Sequence, residues 1–262
     1  MPKKTLKKIF NQDGLISVKN FLNKNQLKEI EFILLKNLYP SVDRKEVLKK
    51  KFDFEVHKKL INMRANNPKK FGEMYDRINL SSSLRSIFYS QKFLDKFTEI
   101  LGIKKEDLFI NGFMLRLDVP FDTRNTLDWH QDSTYYEMTY PKYNAGVCWV
   151  AFTNNSNANG SLQYINKSHK KLIQKFKVLK NENMSEQRKI TIDEQNKKNI
   201  STLNAKKGDA NFFHMNMIHR SGINSSNKVR ISLACRFHSM QKFNLGKEIF
   251  FYNKTENYKL KL

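Results

Sequence analysis

Two short segments carry residue types that can hold a redox metal. Trp129-His130-Gln131-Asp132 sets an imidazole and a carboxylate two positions apart, and Ile218-His219-Arg220-Ser221 supplies a second imidazole about ninety residues later. Two imidazoles and one carboxylate occupy one face of an octahedron and leave three positions open, the arrangement a non-haem Fe(II) oxygenase requires. Arg230 follows eleven residues after His219, with Ser232 two positions further on. A guanidinium grips a carboxylate with two parallel donors, so Arg230 would hold an acidic co-substrate beside the metal. His-x-Asp alone is a weak signal, because a hydrogen-bonded pair on a surface loop reads the same. The second segment and its arginine favour the metal.

The surrounding pattern says how these residues are carried. Alternate side chains of an extended strand share a face, so His130 and Asp132 should emerge together and Gln131 should turn away. Residues 112–119 read as a strand and 120–125 as the turn that leads to the motif. Residues 210–218 form a mostly apolar run of strand length closed by His219, 222–227 are turn chemistry, and 229–235 alternate again. His219 and Arg230 are therefore expected on neighbouring strands of a hairpin, with Arg230 and Ser232 on one face. Gln131, Tyr135, Tyr136, Tyr140 and Tyr143 lie near the motif as candidate substrate-pocket residues.

Over residues 12–240 the chain resembles the phytanoyl-CoA dioxygenase family of Fe(II)/2-oxoglutarate oxygenases. Residues 13–22 look like that family's opening strand and turn into its first helix. Trp129-His130-Gln131-Asp132 looks like its metal motif. Trp149-Val150-Ala151-Phe152 with Asn159-Gly160-Ser161-Leu162 resembles its central strand pair. Gly208-Asp209 and His219-Arg220-Ser221 through Arg230-Ile231-Ser232 match its last strands.

The resemblance implies that His130, Asp132 and His219 bind Fe(II). It implies that Arg230 takes the far carboxylate of 2-oxoglutarate, helped by Ser221 or Ser232, and that Trp149 lines the co-substrate pocket. O2 is the third reactant. Lys167-Ser168-His169 falls where the family commonly has Gly-Ser-His, and Asn166-Lys167 replaces its usual Pro-Gly, so His169 is read either as structural or as a support behind the metal-binding residues. Halogenating relatives replace the carboxylate with a small residue; Asp132 is present, which points to a hydroxylase. The resemblance implies a small-molecule substrate, since the family hydroxylates acyl thioesters, free amino acids, carrier-bound groups and other small metabolites. The basic balance of the chain, rather than the resemblance, leans toward an anionic or phosphate-bearing one such as an acyl-CoA.

Before the motif the chain reads as helices. Asn23 can cap a helix over 24–38, a second helical stretch runs over 45–62, Asn67-Pro68 restarts one toward Asn79, Ser82 caps a short one, and 91–101 ends at Gly102. From about Leu108 short strands and polar turns take over. Strands following helices give an α+β class, here a double-stranded β-helix (a cupin-like jelly roll) with N-terminal helices packed on it. A single oxygenase domain over 1–262 is expected. It would comprise a frayed basic tail (1–12), a helical part (13–103), a jelly-roll core (108–240) with a lid or solvated insertion at 169–204, and a C-terminal extension (241–262).

Length and composition allow one domain with a full core. There is no apolar run of about eighteen residues and no signal-peptide core. The two cysteines, Cys148 and Cys235, fall in apolar strands and make no disulfide framework, so a cytoplasmic setting is expected. The net charge is +23, with lysine outnumbering arginine 38 to 10. That bias is of the kind an AT-rich genome imposes, and the lysines are scattered. Two other readings stay open at this point: a metal-dependent cupin-type enzyme that does not use 2-oxoglutarate, and a basic nucleic-acid-binding protein, for which no motif is present.

Overall fold

The computed structural model describes residues 5–124, 126–136, 144–171, 173–181, 184–242, 249–253 and 256–260. The first of them depart from the expected tail. Thr5 caps helix α1 (Leu6–Asp13), Gly14 ends it at φ 74°, and Phe10 is buried against His214 and Phe237. Lys7 and Lys8 face solvent, so the helix's one deeply buried contact was hidden among lysines. Strand β1 (Leu15–Val18) follows. Asn23 and Gln26 then form a capping box on α2 (Lys24–Leu38), each side chain accepting from the other's backbone N–H.

The single stretch expected over 45–62 is two helices, α3 (Arg44–Lys49) and α4 (Phe54–Asn66). The break has a local cause. Asp53 accepts from the N–H groups of Glu55 and Val56, while the Phe52 N–H donates to Glu31 and its ring packs edge-on against His57 and Phe152. Helices α5 (Pro68–Leu80), α6 (Ser82–Phe88, with Ser81 rather than Ser82 at its N-cap) and α7 (Gln91–Leu101) complete the helical layer.

The strands are β2 (Leu108–Asp118), β3 (Ala145–Ala151), β4 (Gln163–Ile165), β5 (Phe176–Asn181), β6 (Met184–Ile190), β7 (Ile200–Thr202), β8 (Ala210–His214), β9 (His219–Arg220) and β10 (Arg230–Ser239), with a short helix α8 (Glu194–Lys197) before β7. A further hairpin joins β11 (Ile249–Asn253) to β12 (Glu256–Leu260). A five-stranded antiparallel sheet runs β1-β8-β3-β10-β2, and a smaller sheet runs β7-β4-β9. They are the two halves of the jelly roll.

Period-2 alternation divides the large sheet between two cores. Val147, Trp149 and Ala151 of β3 and Ala234 of β10 face the small sheet, among Leu162, Leu203 and Met217. Cys148, Val150, Ile231, Leu233, Cys235 and Phe237 face the helices, where Phe237 stacks on Phe97 at 4.5 Å between centroids. Cys148 and Cys235 are cross-strand partners, buried and unbridged.

His219 and Arg230 do not share a hairpin. β8 pairs with β1 and β3, and the chain then crosses through Met215–Ile218 into the small sheet, so β9 faces β10 instead of pairing with it. Residues 169–204 are largely ordered as the β5–β6 hairpin, α8 and β7. The hairpin is fixed to the metal motif by Ile190 N–H to the Trp129 carbonyl (2.7 Å) and by Gln187, which bonds to Asp128 and Thr126. Tyr140 and Tyr143 lie outside the described residues. Among the described residues no helix is long and apolar enough to cross a membrane.

Candidate metal and co-substrate site

The two histidines are paired through the backbone. His130 N–H donates to the His219 carbonyl and His219 N–H to the His130 carbonyl, both at 3.0 Å. Each ring then turns its Nδ1 to a backbone carbonyl, His130 to Asp128 (2.7 Å) and His219 to Met217 (2.9 Å). A carbonyl can only accept, so these bonds assign the proton to Nδ1 and leave a lone pair on each Nε2. Asp132 opens a short 3-10 helix (Asp132–Tyr135) rather than continuing a strand. Its Oδ1 lies 3.3 Å from His130 Nε2 and 3.6 Å from His219 Nε2. All three side chains are buried, and one ligand atom from each lies within 4.8 Å of the others.

Three lone-pair atoms thus converge with no proton between them. Such an arrangement suits a bound cation, and carbonyl bonds to Nδ1 are the usual outer support of histidine ligands. Burial pushes the His219 pKa down to about 3, and nearby His130 adds to this, which keeps the ring neutral as a ligand must be. Burial alone would raise the Asp132 pKa. The Arg236 guanidinium outweighs it and holds the carboxyl well below the usual range.

Above the triad lies a cavity of about 50 Å³ lined by Val147, Trp149, Leu162, Phe213, Ser221 and Arg230, among others. Arg230 is buried on β10, and its Nη2 lies 2.8 Å from Asp118 Oδ2 in an ionic contact without hydrogen-bond geometry. Its Nε has no hydrogen-bond partner, and neither has the Ser232 hydroxyl on the same face of the strand. A buried donor without an acceptor is costly, so this pair marks a place for one. The cavity wall carries Arg116, Arg230 and Arg236 against Asp118 and Asp132, which leaves an excess of positive charge.

The remaining sequence candidates fall in different places. Trp149 and Ser221 line the cavity. Gln131 does not: its amide is used at both ends, donating to the Asn216 carbonyl and accepting from the Gln174 N–H, both at 2.8 Å. Tyr135 sets its ring 6.2 Å from that of His130 and accepts from the Arg188 N–H. Tyr136 packs by Gly112, Arg236 and His238. His169 bonds to the Asn11 carbonyl under α1, a structural position, and Lys167 adopts the left-handed conformation (φ 57°) at the glycine position of the resemblance. Sequence reasoning missed Arg236, whose Nε and Nη2 both lie 2.9 Å from Asp132 Oδ2. The signal was available, since Arg236 follows Arg230, Ser232 and Ala234 at every second position of one strand.

The profile of the phytanoyl-CoA dioxygenase (PhyH) family matches residues 10–232. The chain belongs to the phytanoyl-CoA dioxygenase family. It is an Fe/2-oxoglutarate-dependent oxygenase, with iron as cofactor and 2-oxoglutarate as co-substrate. Among solved structures, EctD from S. alaskensis in its apo form is similar at TM-score 0.61 and 16% identity, covering 89% of this chain and 75% of that one. The non-heme monooxygenase ThoJ in its apo form gives 0.58 and 22%, covering 89% and 77%. EvdO2 from Micromonospora carbonacea var. aurantiaca complexed with 2-oxoglutarate gives 0.57 and 14%, covering 88% of each chain. At these identities the likeness establishes the jelly-roll fold of the family. No curated protein matches the sequence.

Proposed function

We propose that this family member hydroxylates an unactivated C–H bond of an anionic small molecule, with release of succinate and CO2. In this reading His130, Asp132 and His219 hold the iron, and Arg230, Ser232 and Ser221 hold 2-oxoglutarate. The convergence of two Nδ1-capped imidazoles and one carboxylate oxygen on a common point carries the assignment. Bound iron supplies O2 activation coupled to decarboxylation of 2-oxoglutarate.

The chain's own residues do the rest. The unpartnered Arg230 Nε and Ser232 hydroxyl supply the donors that a carboxylate needs. Val147, Trp149, Leu162 and Phe213 exclude water from the cavity.

The substrate reading rests on what lies outside this cavity. A cleft of about 830 Å³, the size class of a drug-sized ligand, shares Leu127 and Ser221 with it. Val178, Leu179 and Ile223 give the cleft an exposed apolar wall. Lys180 and Arg220 give it cations, and the carboxylate that lines it, Asp128, is already paired with Lys189 at 2.6 Å. Arg220 is held in place by Gln163 (2.7 Å) and by the Trp129 ring. This supports an anionic substrate with an apolar portion.

The test is anaerobic titration of the purified protein with Fe(II) and 2-oxoglutarate, followed by the weak visible charge-transfer band of the chelate. The parent should show the band, and Arg230→Ala should need at least tenfold more 2-oxoglutarate to reach it. Iron-loaded parent without a band would overturn the proposal.

A further inference from the structure

We infer that Arg236 is a positioning residue that confines Asp132 to one ligating oxygen. The inference rests on the metal site proposed above and concerns a residue outside it. Arg236 directs both Nε and Nη2 at the same atom, Oδ2 of Asp132, each at 2.9 Å. Oδ1 is left facing the two imidazoles. A carboxylate can bind a cation through one oxygen or through both. With Oδ2 occupied by the guanidinium, Asp132 takes a single position. The triad then leaves three positions open, two for a chelating 2-oxoacid and one for O2.

The backbone is shaped to place this arginine. Between β2 and β10 the register shifts, so that Gly112 and Phe113 stand opposite Cys235 alone. Gly112 takes φ 60°, and its carbonyl accepts from Arg236 Nη1 at 3.1 Å. A Cβ on Gly112 would come within 2.9 Å of Arg236 Cδ and 2.8 Å of the Tyr136 hydroxyl. A glycine bulge thus opens the space the arginine side chain fills. Arg236 is half-buried beside the Tyr136 ring, with its side chain 13% exposed, and the two bonds to Oδ2 and the one to the Gly112 carbonyl limit where its guanidinium can go.

The experiment compares the parent with Arg236→Met, Arg236→Lys and Gly112→Ala. Each protein is titrated with Co(II) in the absence of iron, and folding is checked by circular dichroism. Arg236→Met should bind Co(II) about 10–100-fold more weakly, with a changed visible d–d spectrum as Asp132 takes a second coordination position. Arg236→Lys restores a charge but not the paired donors, and should recover part of the affinity. Gly112→Ala keeps the arginine but displaces it, and should change the spectrum in the same direction.

Parental Co(II) affinity and spectrum in Arg236→Met would overturn the inference. If Arg236→Met does not fold, parental behaviour of both Arg236→Lys and Gly112→Ala overturns it equally. Failure of the parent to bind Co(II) at all would instead remove the metal site itself.

Discussion

Asp122 shows how a charge outside the site holds the approach to it. It lies in the turn between β2 and the metal motif, 2.5 Å from Arg64 Nε of helix α4, and also accepts from the Arg124 side chain and backbone. Burial raises its pKa, but the hydrogen bonds from Arg124 and Arg64 prevail and bring it from 3.8 down to about 2. A carboxyl whose folded pKa is depressed binds protons more readily when unfolded. Its contribution to stability is complete above about pH 4 and is lost as pH falls toward 2. The melting temperature should therefore fall more steeply as pH is lowered from about 4.5 to 2.5 in the parent than in Asp122→Asn, which lacks this titration. Equal slopes would show that the turn is not held by charge. Nothing in the sequence pairs Asp122 with Arg64, 58 positions away, because ion pairing between distant helix and loop residues leaves no periodic trace. The convergence of His130, Asp132 and His219 was legible because their residue types and spacing are themselves what the proposed chemistry requires.

Among the elements, the β5–β6 hairpin has the most direct bearing on substrate. It forms one wall of the outer cleft through Val178, Leu179, Lys180 and Gln187. Gln187 is buried and is one of its polar ties to the segment that leads into the motif, accepting from the Asp128 N–H and donating to the Thr126 carbonyl, beside the Lys189–Asp128 ion pair. Gln187→Ala should loosen the hairpin without disturbing the triad. The expected readout is faster limited proteolysis within residues 176–190, with the Fe(II)/2-oxoglutarate band unchanged. Unchanged proteolysis would mean that the Ile190 bond and the Arg188 contacts suffice. Sequence reading identified this segment as long and polar but did not find its strands, since alternating lysines and apolar residues on an exposed hairpin resemble a solvated loop. The displacement of His219 from β8 into the other sheet was illegible for another reason. The run through Ile218 is mostly apolar, and such a run does not reveal where the chain leaves one sheet for another. The α2, α5 and α7 helices, by contrast, were readable from caps and spacing, because those signals are local.

At the scale of the molecule, the proposed ligands and the arginine behind them join the two halves of the barrel. His219 sits in the small sheet, while Arg236, which holds Asp132, sits in the large one. A cation bound to the triad therefore stabilises the whole fold, by about 2.7 kcal/mol at a free metal concentration 100-fold above Kd. The melting temperature should rise with Mn(II) or Fe(II) under anaerobic conditions and stay flat in His130→Ala. An equal rise in that variant would place the metal elsewhere on the protein. The jelly-roll class was legible from the order of helices and strands, because layer architecture follows from which faces need covering.

The paired backbone bonds between His130 and His219 span about ninety residues of chain. Closing so long a loop has an entropic cost that only later contacts can offset, and contacts of this separation form slowly relative to local helices. The three side chains converge only once this long-range closure has formed. A nascent chain that has made its helices but not this closure has one histidine and the aspartate on one side and the second histidine far away. It has no complete set of side chains to hold a redox-active ion until the two histidine segments have paired.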